Sequence, residues 1–429
     1  MRYKTTRGSK ESYSLKEAAF MGLAPDGGLF MPESVPQVDM DEVAERAESS
    51  FADMGEYLAG LYFGGDVPRE ELRGAVEAAF SFPVPLKHIG DELRTLELFH
   101  GPTAAFKDFG AGFMGQMLGR LRQDDEKLTI LTATSGDTGS AVAHGFYNVP
   151  GIEVIILYPD GKISDLQESQ MTTLGGNIHA LRIEGTFDDC QRMVKEVFSD
   201  AAYRKTRNVT SANSINLLRW IPQSFYYFYG WKLWRDATGG ERPDIVVPSG
   251  NYGNLSAGML AQRMGLPVGR FIAASNANDV IPEFLQTGVY RPRPSVQTIA
   301  NAMDVGNPSN YERMVALAGG SEEVLRTEIE GFASTDQQIR SAIKDIYDRY
   351  GYISDPHSAT GYNAAKHFDA KGFWLSTAHA AKFGEVIEST LGIAPAIPER
   401  LAKLLGRPKV STPMAADSAL LKEFVNYKL

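Results

Sequence analysis

Six short, nearly unbroken apolar runs, each set between helical patterns, restrict what this chain can fold into more than any other feature. They are LTILTAT (128–134), EVIILYP (153–159), HALRIEG (179–185), DIVVPSG (244–250), RFIAASN (270–276) and GFWLSTA (372–378). A strand with one wet face alternates apolar and polar residues, whereas a continuous apolar run is buried on both faces. Such strands, alternating with helices, build parallel sheets covered on both sides. The spacing predicts two of them. The expected fold class is therefore α/β, with two mostly parallel sheets flanked by helices.

The first 82 residues read differently. They carry helical patterns such as DEVAERAESSFADMGEYLAG (41–60) and REELRGAVEAAFSF (69–82), and then Pro83 and Pro85 mark an entry into new structure. A chain of 429 residues exceeds one average domain. The expected division is a mainly helical N-terminal domain at 1–82 and a larger region at 83–429, with a smaller α/β subdomain at about 110–215 set against the larger one.

Charge and cysteine usage exclude several classes. A net charge of −10 disfavours a nucleic-acid partner, because phosphate recognition needs a basic face. The single cysteine, Cys190, has no partner for an internal disulfide, which fits a reducing, cytoplasmic setting. It lies in the amphipathic pattern FDDCQRMVKEVF, as a buried structural thiol would. The N-terminus has no apolar core of a secretory signal, and no run has the length of a membrane span.

Ligands of parallel α/β sheets bind beyond the carboxyl ends of strands. Three strands here run into unusual turns: TSGDTG (134–139), PSGNYGN (248–254) and STAHAAKFGE (376–385). Small residues between a strand and a helix let backbone N–H groups hold an anion. Any one of these turns is explained as an ordinary βα connection. Three of them, with the segment HGPTAAFKDFG (100–110), are not. That segment puts Lys107 just ahead of a helical run, Asp108 to Leu121. The positive end of a helix dipole disfavours an ammonium and so favours the neutral amine of a Schiff-base lysine.

Other chemistries fail on spacing. Gly250 to Gly253 is not G-x-G-x-x-G, and TSGDTGS has no P-loop lysine. The seven histidines include no HExxH or close pair, so no metal site is expected. There is no G-x-S-x-G elbow.

Along almost its whole length the chain resembles the threonine synthases, in their longer bacterial and fungal branch with an extra N-terminal domain. These belong to the tryptophan-synthase-β-like pyridoxal-phosphate enzymes of fold type II. The resemblance rests on SLKEAAFMGLAPDGGLFMPE (14–33), HGPTAAFKDFG, TSGDTGSA, YPDGKISDLQESQMTTLGGNI, SANSINLLRW, PSGNYGNL, SDPHSATGY and STAHAAKFGE. SGDTG is the more telling motif, since cysteine synthases of the same fold usually carry Asn where Asp137 stands.

The resemblance implies roles residue by residue. Lys107 matches the lysine that carries the pyridoxal 5'-phosphate. Gly250, Asn251, Tyr252, Gly253 and Asn254 match the loop around the cofactor phosphate, and Thr377 the hydroxyl beside its pyridine nitrogen. Asp137 matches the side chain near the cofactor's phenolic oxygen, although a carboxylate donates no hydrogen bond unless protonated. Ser135, Thr138, Asn213, Ser214 and Arg219 match residues that hold the substrate phosphate, with Lys162 a further candidate. On a continuous helix Asn213, Asn216 and Arg219 would lie near one face. The implied reaction turns O-phospho-L-homoserine and water into L-threonine and phosphate, in a cytoplasmic monomer or homodimer with no membrane or nucleic-acid partner. The alternatives are a serine/threonine dehydratase or cysteine synthase of the same fold, or a catalytically dead homologue with a binding role.

Overall fold

The computed structural model describes residues 1–90, 92–123 and 126–428. Its strands are β1 (Tyr3–Thr5), β2 (Phe30–Pro32), β3 (Leu86–Gly90), β4 (Leu93–Glu97), β5 (Leu128–Ala133), β6 (Ile152–Pro159), β7 (Ile178–Glu184), β8 (Val209–Ser211), β9 (Asp244–Pro248), β10 (Phe271–Ser275), β11 (Ile329–Ala333), β12 (Gly372–Ser376) and β13 (Thr412–Ala415). All six apolar runs are strands. Two larger sheets form, in the orders β11-β10-β9-β12-β4-β3 and β13-β7-β6-β5-β8. Every pairing in them is parallel except β3 with β4, which is antiparallel. The second sheet recruits β13 from near the C-terminus, and the helix Ser418–Lys428 then packs on the helix Phe187–Ser199, so that layer extends beyond residues 110–215. Cys190 lies buried on Phe187–Ser199.

The N-terminal region is helical, as its patterns indicate, apart from a small β1–β2 ladder. The 41–60 pattern is two helices rather than one. Ser50 adopts an extended conformation and caps the second by accepting from the Asp53 N–H at 3.0 Å. Short polar side chains at such positions compete with the helical hydrogen bond and favour a restart. These helices share one hydrophobic core with the α/β layers. Phe51 meets Phe109 edge-on at 5.6 Å, and Phe80 stacks on Phe113 at 5.9 Å. Both partners lie on the helix Lys107–Leu121, so the N-terminal region is a rigid backing for the helix that begins at Lys107.

The segment INLLRWIPQSFYYFYGW is also not one helix. It runs as a short helix Leu217–Trp220, a 3-10 turn Ile221–Ser224 and a helix Phe225–Thr238. Pro222 has no N–H for a continuous ladder. Residues 213–216 precede the helix, with Asn216 as its cap, so Asn213 and Arg219 are not brought together by a helical face.

Candidate active site

Lys107 opens its helix at the end of the connection from β4, and that connection is laced to the turn after β12. The Phe106 N–H donates to Thr377 O at 2.8 Å, the His379 N–H donates to Ala104 O at 3.0 Å, and Ala105 bridges Ala378. Adjacent parallel strands β4 and β12 thus bring Lys107 and Thr377 together. Buried Asp108 holds the turn shut by accepting from the Thr103 N–H (2.9 Å) and hydroxyl (2.6 Å). Burial pushes its carboxyl up to about 6, against those hydrogen bonds. The Lys107 amine is pushed down to about 8, first by burial, with the positive charges of Lys382 and Arg219 adding and Asp137 opposing. A neutral amine is therefore accessible close to physiological pH.

Asp137 begins the helix that follows the TSGDTG turn. Its carboxylate accepts from Lys382 Nζ at 2.7 Å and Gln167 Nε2 at 2.9 Å. Burial favours the neutral acid, but the Lys382 and Lys107 charges outweigh it and hold the carboxyl below its usual range. Asp137 is thus an ionised acceptor. Gly136 takes φ +136°, a conformation that residues with a side chain rarely adopt. Not every amide of this turn faces outward, because Thr134 Oγ1 accepts from the Gly136 and Gly139 N–H groups at 2.9 and 2.8 Å. Ser135 and Thr138 lie half-buried in the same turn.

The PSGNYGN turn leads from β9 into the helix Gly253–Arg263. Neither of its glycines has positive φ; the left-handed residue is Tyr252, at +59°, with its hydroxyl 2.5 Å from Ser275 Oγ. Gly250 is instead required for close approach, since a Cβ there would fall 2.5 Å from Met303 Cα. Asn251 Nδ2 donates to Ser214 Oγ at 2.6 Å, and Asn310 Nδ2 donates to Asn251 O at 3.0 Å. The Asn254 side chain turns inward and accepts from the hydroxyls of Tyr226 (2.5 Å) and Tyr227 (2.7 Å), and its backbone carbonyl also accepts from Tyr227 at 2.9 Å.

Arg219 is 3% exposed, not a surface arginine. Its Nη1 donates to Ala212 O at 2.7 Å, and among the described residues no carboxylate lies within salt-bridge distance. Burial pushes it down to about 10, opposed by the more distant Asp108 charge. Its Nε and the Oδ1 of Asn213 are buried without a hydrogen-bond partner, as are Ser249 Oγ and Asn254 Nδ2 beside the turn after β9. The donors among these, Arg219 Nε, Ser249 Oγ and Asn254 Nδ2, fit an anion-bearing ligand, whereas the Asn213 oxygen can only accept and suits a ligand donor. Lys162 lies exposed in the turn after β6, and among the described residues no side-chain hydrogen bond or ion pair joins it to the other candidates.

Three further groups shape the site. Lys382, within the STAHAAKFGE motif, reads in the sequence as one more basic residue, and only the sheet topology reveals its partner. Asp355 and His357 form a relay behind the cradle. The Ala302 N–H donates to His357 Nε2 at 3.1 Å, so Nδ1–H donates to Asp355 at 2.9 Å, and Ser358, bonded to Asp355, accepts from the Thr377 N–H at 3.0 Å. Buried Arg313 donates to Ser214 O (2.8 Å), Ile215 O (2.7 Å) and Phe30 O (3.2 Å), tying β2 to the Asn213–Ser214 loop. Asn216 Nδ2 donates to Ala19 O at 2.8 Å, which gives the 14–33 segment the same buttressing role.

A buried lysine at a helix start, in a fold of two largely parallel sheets whose strands β5 and β9 end in glycine-bearing turns, is the arrangement of a pyridoxal-phosphate-dependent enzyme. The family model described as "Pyridoxal-phosphate dependent enzyme" matches residues 84–374, and those for the threonine synthase N terminus and C-terminal region match 2–80 and 358–425. The threonine synthase of Escherichia coli (strain K12) is 41% identical over 423 residues, 97% of each chain. That of Schizosaccharomyces pombe is 34% identical, covering 91% of this chain and 89% of its own. The crystal structure of PLP-bound threonine synthase from Brucella melitensis superposes with a TM-score of 0.94 at 34% identity, over 100% of this chain and 99% of that one. The chain belongs to the threonine synthase family, and its cofactor is pyridoxal 5'-phosphate. No helix among the described residues is long and apolar enough to cross a membrane.

Proposed function

We propose that this chain converts O-phospho-L-homoserine and water to L-threonine and phosphate, with the site residues in the following roles. Lys107 carries the cofactor and moves protons at the α- and β-carbons of the substrate. The backbone of Gly250 to Asn254 receives the cofactor phosphate, and Thr377 faces the pyridine nitrogen. When bound, the cofactor supplies an electron sink for the substrate carbanion. A hydroxyl at the pyridine nitrogen withdraws less than a charged partner would, which suits elimination over transamination. Ser135, Thr138, Asn213, Ser214 and Arg219 hold the substrate phosphate, with the exposed Lys162 a further candidate.

The observation that carries the phosphate assignment is Arg219: a buried guanidinium with no carboxylate in contact among the described residues, near enough to Lys107 for the two charges to repel. A buried cation without a contacting counter-charge is costly, and a phosphate substrate would supply one. A dehydratase acting on an uncharged side chain has no such need. In the same reading, residues 1–82 form the N-terminal unit and 83–429 the catalytic region, in a cytoplasmic protein that acts as a monomer or homodimer. The test is a coupled measurement of phosphate release and threonine formation from O-phosphohomoserine. Equal rates support the reading; turnover of serine or threonine to an oxo acid, without use of O-phosphohomoserine, contradicts it.

A further inference from the structure

Lys382 and Asp137 come from different sheets. Lys382 follows β12 in the six-stranded sheet, and Asp137 follows β5 in the five-stranded one. They meet at 2.7 Å with both side chains nearly sealed from solvent, at 0% and 4% exposure. Lys382 also donates to Thr103 O at 2.8 Å, the same Thr103 whose hydroxyl holds Asp108 beside Lys107. Gln167 takes a further share of the Asp137 carboxylate at 2.9 Å. Lys107 itself makes no salt bridge among the described residues, although the Asp137 charge acts on it and favours its ammonium form. Two lysines therefore face one carboxylate, and the structure gives that carboxylate to Lys382.

We propose that Lys382 is a positioning residue that occupies Asp137 so that the carboxylate cannot pair with Lys107, leaving the Lys107 amine free to lose its proton and react. The inference rests on the reading of Lys107 as the cofactor-bearing lysine. The charges acting on the amine come from three places. Asp137 lies on the helix after β5, Lys382 after β12 and Arg219 on Leu217–Trp220, while Asp108, next in the chain, is itself acted on by Lys382 and Asp137. His144, on the helix of Asp137, is pushed down to about 4 by burial and then by Lys382, so it stays neutral and does not compete for the carboxylate. Among the described residues, removing Lys382 leaves Lys107 as the remaining cation whose charge acts on Asp137. A salt bridge formed there would stabilise the ammonium and raise the pH at which the amine becomes nucleophilic.

The test uses the full-length protein stripped of cofactor. Competitive acylation of Lys107 across a pH series, followed by mass spectrometry, reads the amine directly, and the rate of yellow colour formation on adding pyridoxal phosphate reads its reactivity. The wild-type amine should reach half-reactivity near pH 8. Lys382→Met should move that midpoint up by one pH unit or more and slow cofactor capture at pH 7.5 about tenfold, whereas Lys382→Arg should stay within about threefold of wild type. The double variant Asp137→Asn with Lys382→Met removes the unpaired carboxylate, and its midpoint should fall at or below that of the wild type even if Lys382→Met alone folds poorly. An unchanged midpoint in Lys382→Met, a raised one in the double variant, or an arginine variant as impaired as the methionine one would overturn the proposal. Because acylation reports the amine without any cofactor, a failure here is distinguishable from a cofactor attached at another lysine.

Discussion

The backbone N–H of Phe106 donates to the carbonyl oxygen of Thr377 at 2.8 Å. This bond sets the residue before Lys107 against the residue that follows β12, and it uses only main-chain atoms. The Thr377 side chain is thereby available for another task. Thr377→Val should keep the fold and the Phe106 contact, retain cofactor, and lower kcat by about tenfold, the worth of roughly one hydrogen bond. A visible-absorbance titration of cofactor content alongside kinetics checks this. Loss of cofactor together with activity would assign Thr377 to binding instead.

The two glycines of the cradle should differ. A Cβ at Gly250 meets the Met303 backbone at 2.5 Å, which has no soft way to yield, while one at Gly253 meets the side chains of Ser214 and Asn310 at 3.2 and 3.3 Å. Gly250→Ala should therefore lose cofactor on dialysis well before Gly253→Ala does, by tenfold or more in apparent affinity, with Gly253→Val intermediate. Equal retention in the two alanine variants would remove the close-approach argument.

For Arg219 the expected effect falls on substrate use and not on cofactor content. Arg219→Ala should lower kcat/KM for O-phosphohomoserine by about 2–4 kcal/mol, and Arg219→Lys by about 1–2, because lysine keeps the charge and loses the planar fork. Steady-state kinetics decides. An unchanged kcat/KM in Arg219→Ala would take this arginine out of the substrate site.

Cys190 should be inert while the protein is folded. Burial, with the Asp189 charge adding, pushes its thiol up to about 12, so almost no thiolate exists at pH 8. Iodoacetamide should leave it unmodified in the native protein and label it after denaturation. Rapid labelling of the native protein would contradict the buried placement.

The parts of the fold legible in the sequence were those with a strong local period. Continuous apolar runs marked β5, β6, β7, β9, β10 and β12, and the lysine segment marked the helix beginning at Lys107. What the sequence hid depends on long-range pairing. β13 is short and mostly exposed, with a proline, and becomes a strand only because β7 offers it an edge. The break at Ser50 and the restarts around Pro222 interrupt otherwise helical periods at single residues. Of the residues proposed for the site, Lys107, Asp137, the Gly250–Asn254 turn and Thr377 stand in motifs at strand ends or a helix start that the sequence displays. Lys382, Asp355 and His357 were not assigned, because their partners lie on other elements. The positive φ at Tyr252 was also hidden, since glycine is the residue expected to take that conformation.

The central claim is that Lys107 is the residue that carries the cofactor, and reductive trapping tests it most directly. Borohydride reduction of the yellow protein, followed by proteolysis and mass spectrometry, should place the cofactor's mass on the peptide containing Lys107, and Lys107→Ala should be colourless by the same reading and form no threonine. Finding the label on any other lysine, Lys382 included, would contradict the account.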